Sequence, residues 1–377
     1  MWNERLGNTR FPAGGRIGAQ AAVCWRGCSV RTRCDFFPPL DLAAGRIELG
    51  HGSGGRASAQ LIEELFAAAF DNDWLRGMND QAAFDAPPGR LVLATDSFVV
   101  SPLFFPGGDI GCLAVHGTVN DIAMAGARPL YLAASFILEE GFALGELHRI
   151  VQSMAAAARA AGVAIVTGDT KVVERGKGDG VFITTTGVGS VPPGIQIDAS
   201  AARPGDRILV SGTLGDHGVA ILSQREGLEF QTELRSDTAP LHELVAAMLA
   251  VAPGLHCLRD PTRGGLAAVL NEWARQSDVG MLIHERDIPI RPEVTAACEF
   301  LGLDPLYLAN EGKLVALCPP HHAEALLAAM RRHPLGRAAA IIGEVREDAH
   351  RFVEMETAFG GRRLVDWLSS DPLPRIC

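Results

Sequence analysis

The chain ends on a thiol. Asp371-Pro372-Leu373-Pro374-Arg375-Ile376-Cys377 puts cysteine last, and a thiolate is the strongest nucleophile among the common side chains. Two prolines fix φ and remove backbone donors, so the segment reads as a stiff arm able to reach a pocket or a partner. The alternative is a frayed terminus whose last residue happens to be cysteine. A second group is acidic: Asp80, Asp96, Asp121 and Asp169 stand at strand ends or in glycine-rich turns. Several converging carboxylates suit hard cations such as Mg2+, which in turn hold nucleotide phosphates. Each alone also serves as a turn former or helix cap. Glycine loops such as His51-Gly52-Ser53-Gly54-Gly55 can cradle phosphate with backbone N–H groups. There is no Gly-x4-Gly-Lys-Ser/Thr and no Gly-x-Gly-x-x-Gly opening a βαβ unit.

Two further residues have the chemistry for a reaction. Lys171 follows Gly168-Asp169-Thr170 and is placed either to pair with phosphate or a carbonyl oxygen, or to sit on a rim beside Asp169. Glu311, in Asn310-Glu311-Gly312-Lys313, is a candidate base or metal ligand, the alternative being a solvated turn residue. His51, His116 and His217 lack metal-ligand spacing and read as structural or rim residues.

The elements that must position these residues follow from periodicity. Arg46–Leu49 reads as a short strand before the first glycine loop, and Leu61, Ile62, Leu65, Phe66 and Ala69 follow at helical spacing. A strand at 90–95 ends at Asp96, and Gly107–Gly111 opens a helix through Val115, Val119, Ile122 and Ala123. Further expectations are a strand at 130–138, a helix at 148–161, and strands at 163–167 and 181–187. Pro, Gly and Asp cluster at 191–206, the best domain boundary. The second half restarts with a strand at 207–211 and a glycine loop at 212–218. Helices are expected at 240–250, 264–276 and 322–332, with strands near 281–284, 313–318 and 340–345. Alternating helices and strands with recurrent β–β steps argue for an α+β fold.

At 377 residues, two domains are the prior. Hydrophobic content of 47% with 21% charged residues is globular, and a net charge of −10 argues against nucleic-acid binding. No apolar run reaches the length of a membrane span. The eight cysteines form no paired framework, so reduced thiols in a soluble, cytoplasmic protein are expected. Residues 1–40 are arginine-rich without a signal-peptide core, and are set aside as an extension.

With these residues in hand, the chain resembles a known family. The segments His51–Gly55, Thr95-Asp96-Ser97, Phe104–Gly111, Asn120-Asp121-Ile122-Ala123, Gly168–Lys171, Ser211–Gly218, Asp260-Pro261-Thr262-Arg263-Gly264-Gly265, Asn310–Lys313 and terminal Pro374-Arg375-Ile376-Cys377 are similar, in order, to HypE. HypE proteins are the carbamoyl dehydratases of nickel–iron hydrogenase maturation. The resemblance covers about residues 45–377; the terminal Pro-Arg-Ile-Cys is its most specific part, whereas the glycine loops are shared with related kinases and synthases.

The resemblance implies a two-domain α+β fold of the aminoimidazole ribotide synthetase type, dimeric through paired N-terminal halves that form a barrel-like core. The expected division is 41–198 for ATP binding and dimerisation, 199–350 for a second α+β domain, and 351–377 for a flexible tail. It also implies ATP with Mg2+ at Asp80, Asp96, Asp121 and Asp169, supported by Asn120 and by Gly52, Gly54 and Gly55. Asp80, in Asn79-Asp80-Gln81-Ala82, lacks the paired acids of related kinases. Lys171 and Glu311 match positions implicated in catalysis. The substrate would be Cys377 itself, carbamoylated by the partner HypF, dehydrated to a thiocyanate, and relieved of its cyanide by a HypC–HypD complex. Two other readings stay open. A small-molecule kinase or synthetase of the same superfamily would have no use for the terminal cysteine, and a docking module would bind no nucleotide.

Overall fold

The computed structural model describes residues 38–85, 87–227, 234–368 and 375–377. The expectations for the basic N-terminal extension, with Cys24, Cys28 and Cys34, and for Pro372 and Pro374 lie outside the described residues. Leu40–Cys377 form one compact unit, built on two sheets.

The first sheet has four strands: β1 (Arg90–Phe98), β2 (Arg128–Glu139), β3 (Ala164–Val173) and β4 (Val181–Val191), in the order β1-β4-β2-β3. All neighbours are antiparallel except β2 and β3, which run parallel. A parallel pair needs a crossover, and helix α3 (Leu144–Ala160) supplies it. Strand β4 alternates buried and half-buried along its whole length, so one face is core and the other is not. Helix α2 (Ile110–Met124) lies on the core face. Asp109 caps it, accepting the N–H groups of Gly111 and Cys112 at 2.7 and 3.1 Å. Nearly all of α2 is buried, because it also packs against α5 (His242–Val251) of the second layer system.

The second sheet has seven strands: β5 (Arg207–Val210), β6 (Cys257–Arg259), β7 (Gly280–His284), β8 (Val315–Cys318), β9 (Ala340–Arg346), β10 (Val353–Glu356) and β11 (Arg362–Leu364). Their order is β11-β10-β7-β9-β5-β8-β6. Alternation sorts the side chains. Ile208, Val210, Val315 and Leu317 pack with α6 (Gly265–Ser277) around Trp273, while Leu209, Ala316 and Cys318 pack with α5 and α8 (Pro320–Arg332).

Several expectations need correction. Arg46–Leu49 forms no strand: Arg46 makes one bridge to Ala143, and Leu49–Gly52 is a tight 3-10 turn. Gly168–Lys171 is not a loop but the middle of β3. Helix Asp216–Glu226 (α4) starts inside the segment expected as a glycine loop, and helix Pro292–Leu301 (α7) lies in a segment for which no element was expected. The tail does not begin at 351, because Val353–Glu356 pairs in parallel with β7 and carries Arg362–Leu364 on its other edge. Among the described residues no helix is long and apolar enough to cross a membrane.

Candidate active site

The acidic residues of β1 and α2 meet across the core face of the first sheet. Asp96 pairs in register with Thr185, whose buried hydroxyl donates to Ala114 O on α2 at 2.8 Å. Asp96 therefore points at α2. Gly117 makes room for it: a Cβ there would lie 3.9 Å from Asp96 Oδ2 and only 2.9 Å from the Phe98 ring. Asp121 is one turn further on. The second half completes the group with Asp260, just after β6, and Glu311, just before β8.

The electrostatics show how crowded this set is. Burial raises the Asp96 pKa, against the pull of the Ser97 N–H and Arg263. Burial and then the charges of Asp260 and Asp96 push Asp121 up to about 7, with Arg259 and Arg263 opposing. Asp121 keeps a solvent-facing edge, so water screens part of that repulsion. Asp260 is pushed up to about 6, chiefly by burial, with Asp96 adding to it. Glu311 lies well above the usual carboxylate range, through burial first and then Asp260, Asp237, Asp96 and Asp121. It is only 2% exposed, and its Oε1 is buried without a hydrogen-bond partner. The solvated-turn alternative for Glu311 fails.

A cation suits such a group. Among the described residues no three His, Cys, Asp or Glu side chains stand close enough to ligate one ion by themselves. Mg2+, however, is ordinarily held by one or two carboxylates with water and phosphate oxygens completing the shell. Mutually repelling acids and one bare buried oxygen fit that chemistry.

A cleft of about 500 Å3 opens between the first glycine loop, helix α1 (Arg56–Leu61) and strands β2 and β3. Its wall includes Ile62, Phe66 and Phe70, and its rim Asp80, Asp169 and Lys171. Gly52 must be glycine: a Cβ would stand 2.6 Å from Val172 N. Gly54 has φ 75° with open space beside it, and Gly55 is the helix N-cap. His51 Nδ1 accepts Glu48 N–H at 2.9 Å, which tightens the turn.

The four expected carboxylates do not converge within the chain. Asp96 and Asp121 belong to the acidic group, whereas Asp80 and Asp169 lie on the cleft rim. Register explains the separation. Asp96, Thr185, Ala134 and Gly168 form one row across the sheet, and Ser97, Thr184, Ser135 and Asp169 the next. Adjacent rows face opposite ways, and β1 and β3 are three strand spacings, roughly 14 Å, apart. Lys171 shares the Asp169 face and pairs with it at 2.8 Å; that pairing holds the Asp169 pKa down.

Asn120 is also corrected. Its amide donates to Ala239 O and Glu311 O at 3.1 and 3.2 Å and accepts Leu241 N–H at 2.8 Å. Both amide ends are committed to protein, so Asn120 ties the Glu311 loop to α2 and is not a nucleotide ligand.

The last three residues are docked. Val99 N–H donates to the terminal oxygen of Cys377, and Ser101 N–H to Arg375 O, both at 3.1 Å. This antiparallel addition follows directly on β1, three residues from Asp96. Ile376 is buried in the first core, and Cys377 packs half-buried against it. His217, fully buried, donates from Nε2 to Ile376 O at 2.8 Å and accepts the Ser236 hydroxyl on Nδ1 at 2.7 Å. The carbonyl can only accept, which fixes this tautomer. The next residue, Asp237, accepts Glu311 N–H at 3.0 Å and Lys313 Nζ at 2.9 Å. One strap thus touches both His217, which holds the docked tail, and the Glu311 loop.

Sequence reasoning missed Asp237, Asp260, Arg225 and the role of His217. Asp260 had a usable signal: it directly follows a short strand. Asp237 has none, since only long-range packing buries it.

The comparisons bear on the family and the fold. Residues 78–191 match the N-terminal domain, and 203–356 the C-terminal domain, of AIR synthase related proteins. A carbamoyl dehydratase HypE of Cupriavidus necator is 72% identical over 340 residues, covering 90% of this chain and 97% of the relative. The chain belongs to the HypE family of carbamoyl dehydratases. It is a dehydratase of hydrogenase maturation with the two-domain α+β fold of the AIR synthase related proteins. A crystal structure of hydrogenase maturation protein HypE in complex with ATP superposes with TM-score 0.85 at 53% identity, covering 87% of this chain and 99% of that one. A HypE–HypF complex structure superposes with TM-score 0.73 at 51% identity, over 82% and 99%.

Proposed function

We propose that this dehydratase acts on its own C-terminal cysteine, converting S-carbamoyl-Cys377 to S-cyano-Cys377 with ATP and Mg2+. The balance is R–S–C(=O)–NH2 + ATP → R–S–C≡N + ADP + phosphate, with both nitrogen protons leaving. ATP turns the carbonyl oxygen, a poor leaving group as hydroxide, into one that departs as phosphate. The observation that carries the proposal is the docked tail. Its terminal oxygen sits on Val99, and three residues of chain place that point no more than about 10 Å along the backbone from Asp96.

The roles follow from position. The 49–55 loop and the apolar wall beside it take the nucleotide, in keeping with the ATP complex of the HypE relative. One or two of Asp96, Asp121 and Asp260 hold the cation, with water and phosphate oxygens completing its shell, and Asp80 and Asp169 bound the cleft mouth. Glu311, protonated while its neighbours are bare, becomes a base for the nitrogen protons once positive charge enters the group. Lys171 pairs with the carbamoyl oxygen or the phosphate.

Strands β1 and β3 leave both edges of the first sheet open, and the outer face exposes Leu91, Leu93 and Ile137, Leu93 at 73%. A second copy covers this face, and edge-to-edge pairing brings the partner's Lys171 row towards Asp96. That gives 41–198 the nucleotide and dimer roles and 199–350 the supporting ones. HypF, which the HypE–HypF complex of the relative supports, is the carbamoyl donor, and HypC–HypD the cyanide acceptor, all in the cytoplasm.

Mass measurement of the C-terminal peptide after HypF, carbamoyl phosphate and ATP tests this. A carbamoyl group gained and then one water lost, confined to Cys377, is expected. ATP-dependent modification that persists in a chain lacking Cys377 would sink the proposal.

A further inference from the structure

The contacts that hold the tail are ones that a separate peptide can also make. The groove takes the terminal carboxylate oxygen on Val99 N–H and Arg375 O on Ser101 N–H. Arg225 braces the second point: its Nη2 donates to Ser101 O at 2.7 Å and to Arg375 O at 2.8 Å. Arg375 Nε reaches Val99 O at 3.1 Å, and its guanidinium pairs with Asp179. His217 takes the remaining carbonyl, that of Ile376. The Ile376 side chain is 3% exposed. Main-chain bonds give affinity, and one apolar pocket and one cation site give selectivity. All of these contacts are made by residues 375–377 of the tail.

We propose that this groove is a self-contained reader of a C-terminal Arg-Ile-Cys carboxylate, so that the protein binds and dehydrates such peptides in trans. The inference rests on the reading of the tail as substrate. The selectivity is specific: a cation three residues from the end, a branched apolar residue next, then a free carboxylate on the cysteine. Burying the isoleucine side chain is worth a factor of about 10 to 100. The charge-assisted bond to the terminal carboxylate is worth about tenfold over an amide.

The test uses the full chain carrying Ile376→Asp, whose own tail no longer seats, with acetyl-Pro-Arg-Ile-Cys labelled at its N-terminus as the probe. Fluorescence anisotropy without nucleotide is expected to show saturable binding. It should weaken about 10- to 100-fold for the Ile-to-Asp peptide and about tenfold for the C-terminal amide. Equal binding of all three peptides, or none of the free-acid peptide, overturns the inference.

The unmodified chain supplies a second arm should that variant misfold. Excess free-acid peptide should displace the tail and speed alkylation of Cys377, and the Ile-to-Asp peptide should not. An alkylation rate unmoved by either peptide overturns the inference. Finally, the S-carbamoyl peptide, made with cyanate, is given with ATP and Mg2+. Conversion to the thiocyanate supports both proposals. Binding without conversion, while Cys377 is also not dehydrated, leaves the groove standing and removes the dehydration reading. Dehydration of Cys377 with no peptide binding removes only the groove.

Discussion

Replacing Asp260 by asparagine removes one charge from the buried acidic set at nearly constant volume. Burial and Asp96 raise the Asp260 pKa from 3.8 to about 6. A carboxyl whose folded pKa is raised keeps its proton while the unfolded chain loses it. Stability therefore falls as pH rises through that window, and the penalty is complete above the folded pKa. The shift is about 6 − 3.8, roughly 2 units, or at most about 3 kcal/mol. In a unit of this size that is on the order of 5 °C in Tm. Thermal unfolding of the wild type and Asp260→Asn, with chelator and without nucleotide, should give equal midpoints near pH 4. The variant should lead by about 5 °C above pH 7. Mg2+ with ATP should then stabilise the wild type more than the variant, because only the wild type has repulsion for the cation to relieve. Parallel curves between pH 4 and 7.5 would refute the crowded-acid account of the site.

Three further changes separate chemistry from scaffold. Lys171→Ala should move stability by less than about 0.5 kcal/mol, since its pair with Asp169 is exposed on both sides, yet lower dehydration kcat by roughly 100-fold; a large drop in urea midpoint would make Lys171 structural. Asn120→Ala removes three buried hydrogen bonds and should cost about 2–4 kcal/mol in urea unfolding, with nucleotide affinity changing only as far as folding does. Glu311→Gln should cut dehydration at least about 100-fold while raising the unfolding midpoint at pH 8. Keeping the buried carboxyl protonated, or ionising it in place, has a stability cost there that the amide does not bear. Loss of both activity and stability would assign Glu311 to the scaffold.

The acids of the first sheet were legible because local rules place them. Asp96 follows an apolar run and lies near the end of its strand, and Asp121 lies on a helix whose start is marked by Gly107–Asp109. Their grouping with Asp169 and Asp80 was not legible, because a side chain's face depends on strand register. Register is set by pairing between residues some 90 positions apart, such as Asp96 with Thr185. The same limit hid Asp237 and made Glu311 look like a surface turn. Both are short polar segments whose burial comes from packing between the two halves.

The tail shows the opposite case. Its prolines and terminal thiol were visible and implied an arm, but an arm carries no instruction about where it rests. That instruction lies in residues with other apparent purposes: the residues just past β1, a histidine in the first turn of α4, and Arg225 near its C-terminal end. Ser236 and Asp237 then join the resting place to Glu311 through two consecutive residues. Undocking the tail breaks the His217–Ile376 bond and frees the imidazole and its serine partner, immediately beside the carboxylate that anchors the Glu311 loop. The docked tail and the candidate base are thus joined through His217, Ser236 and Asp237, three residues that no local sequence pattern connects.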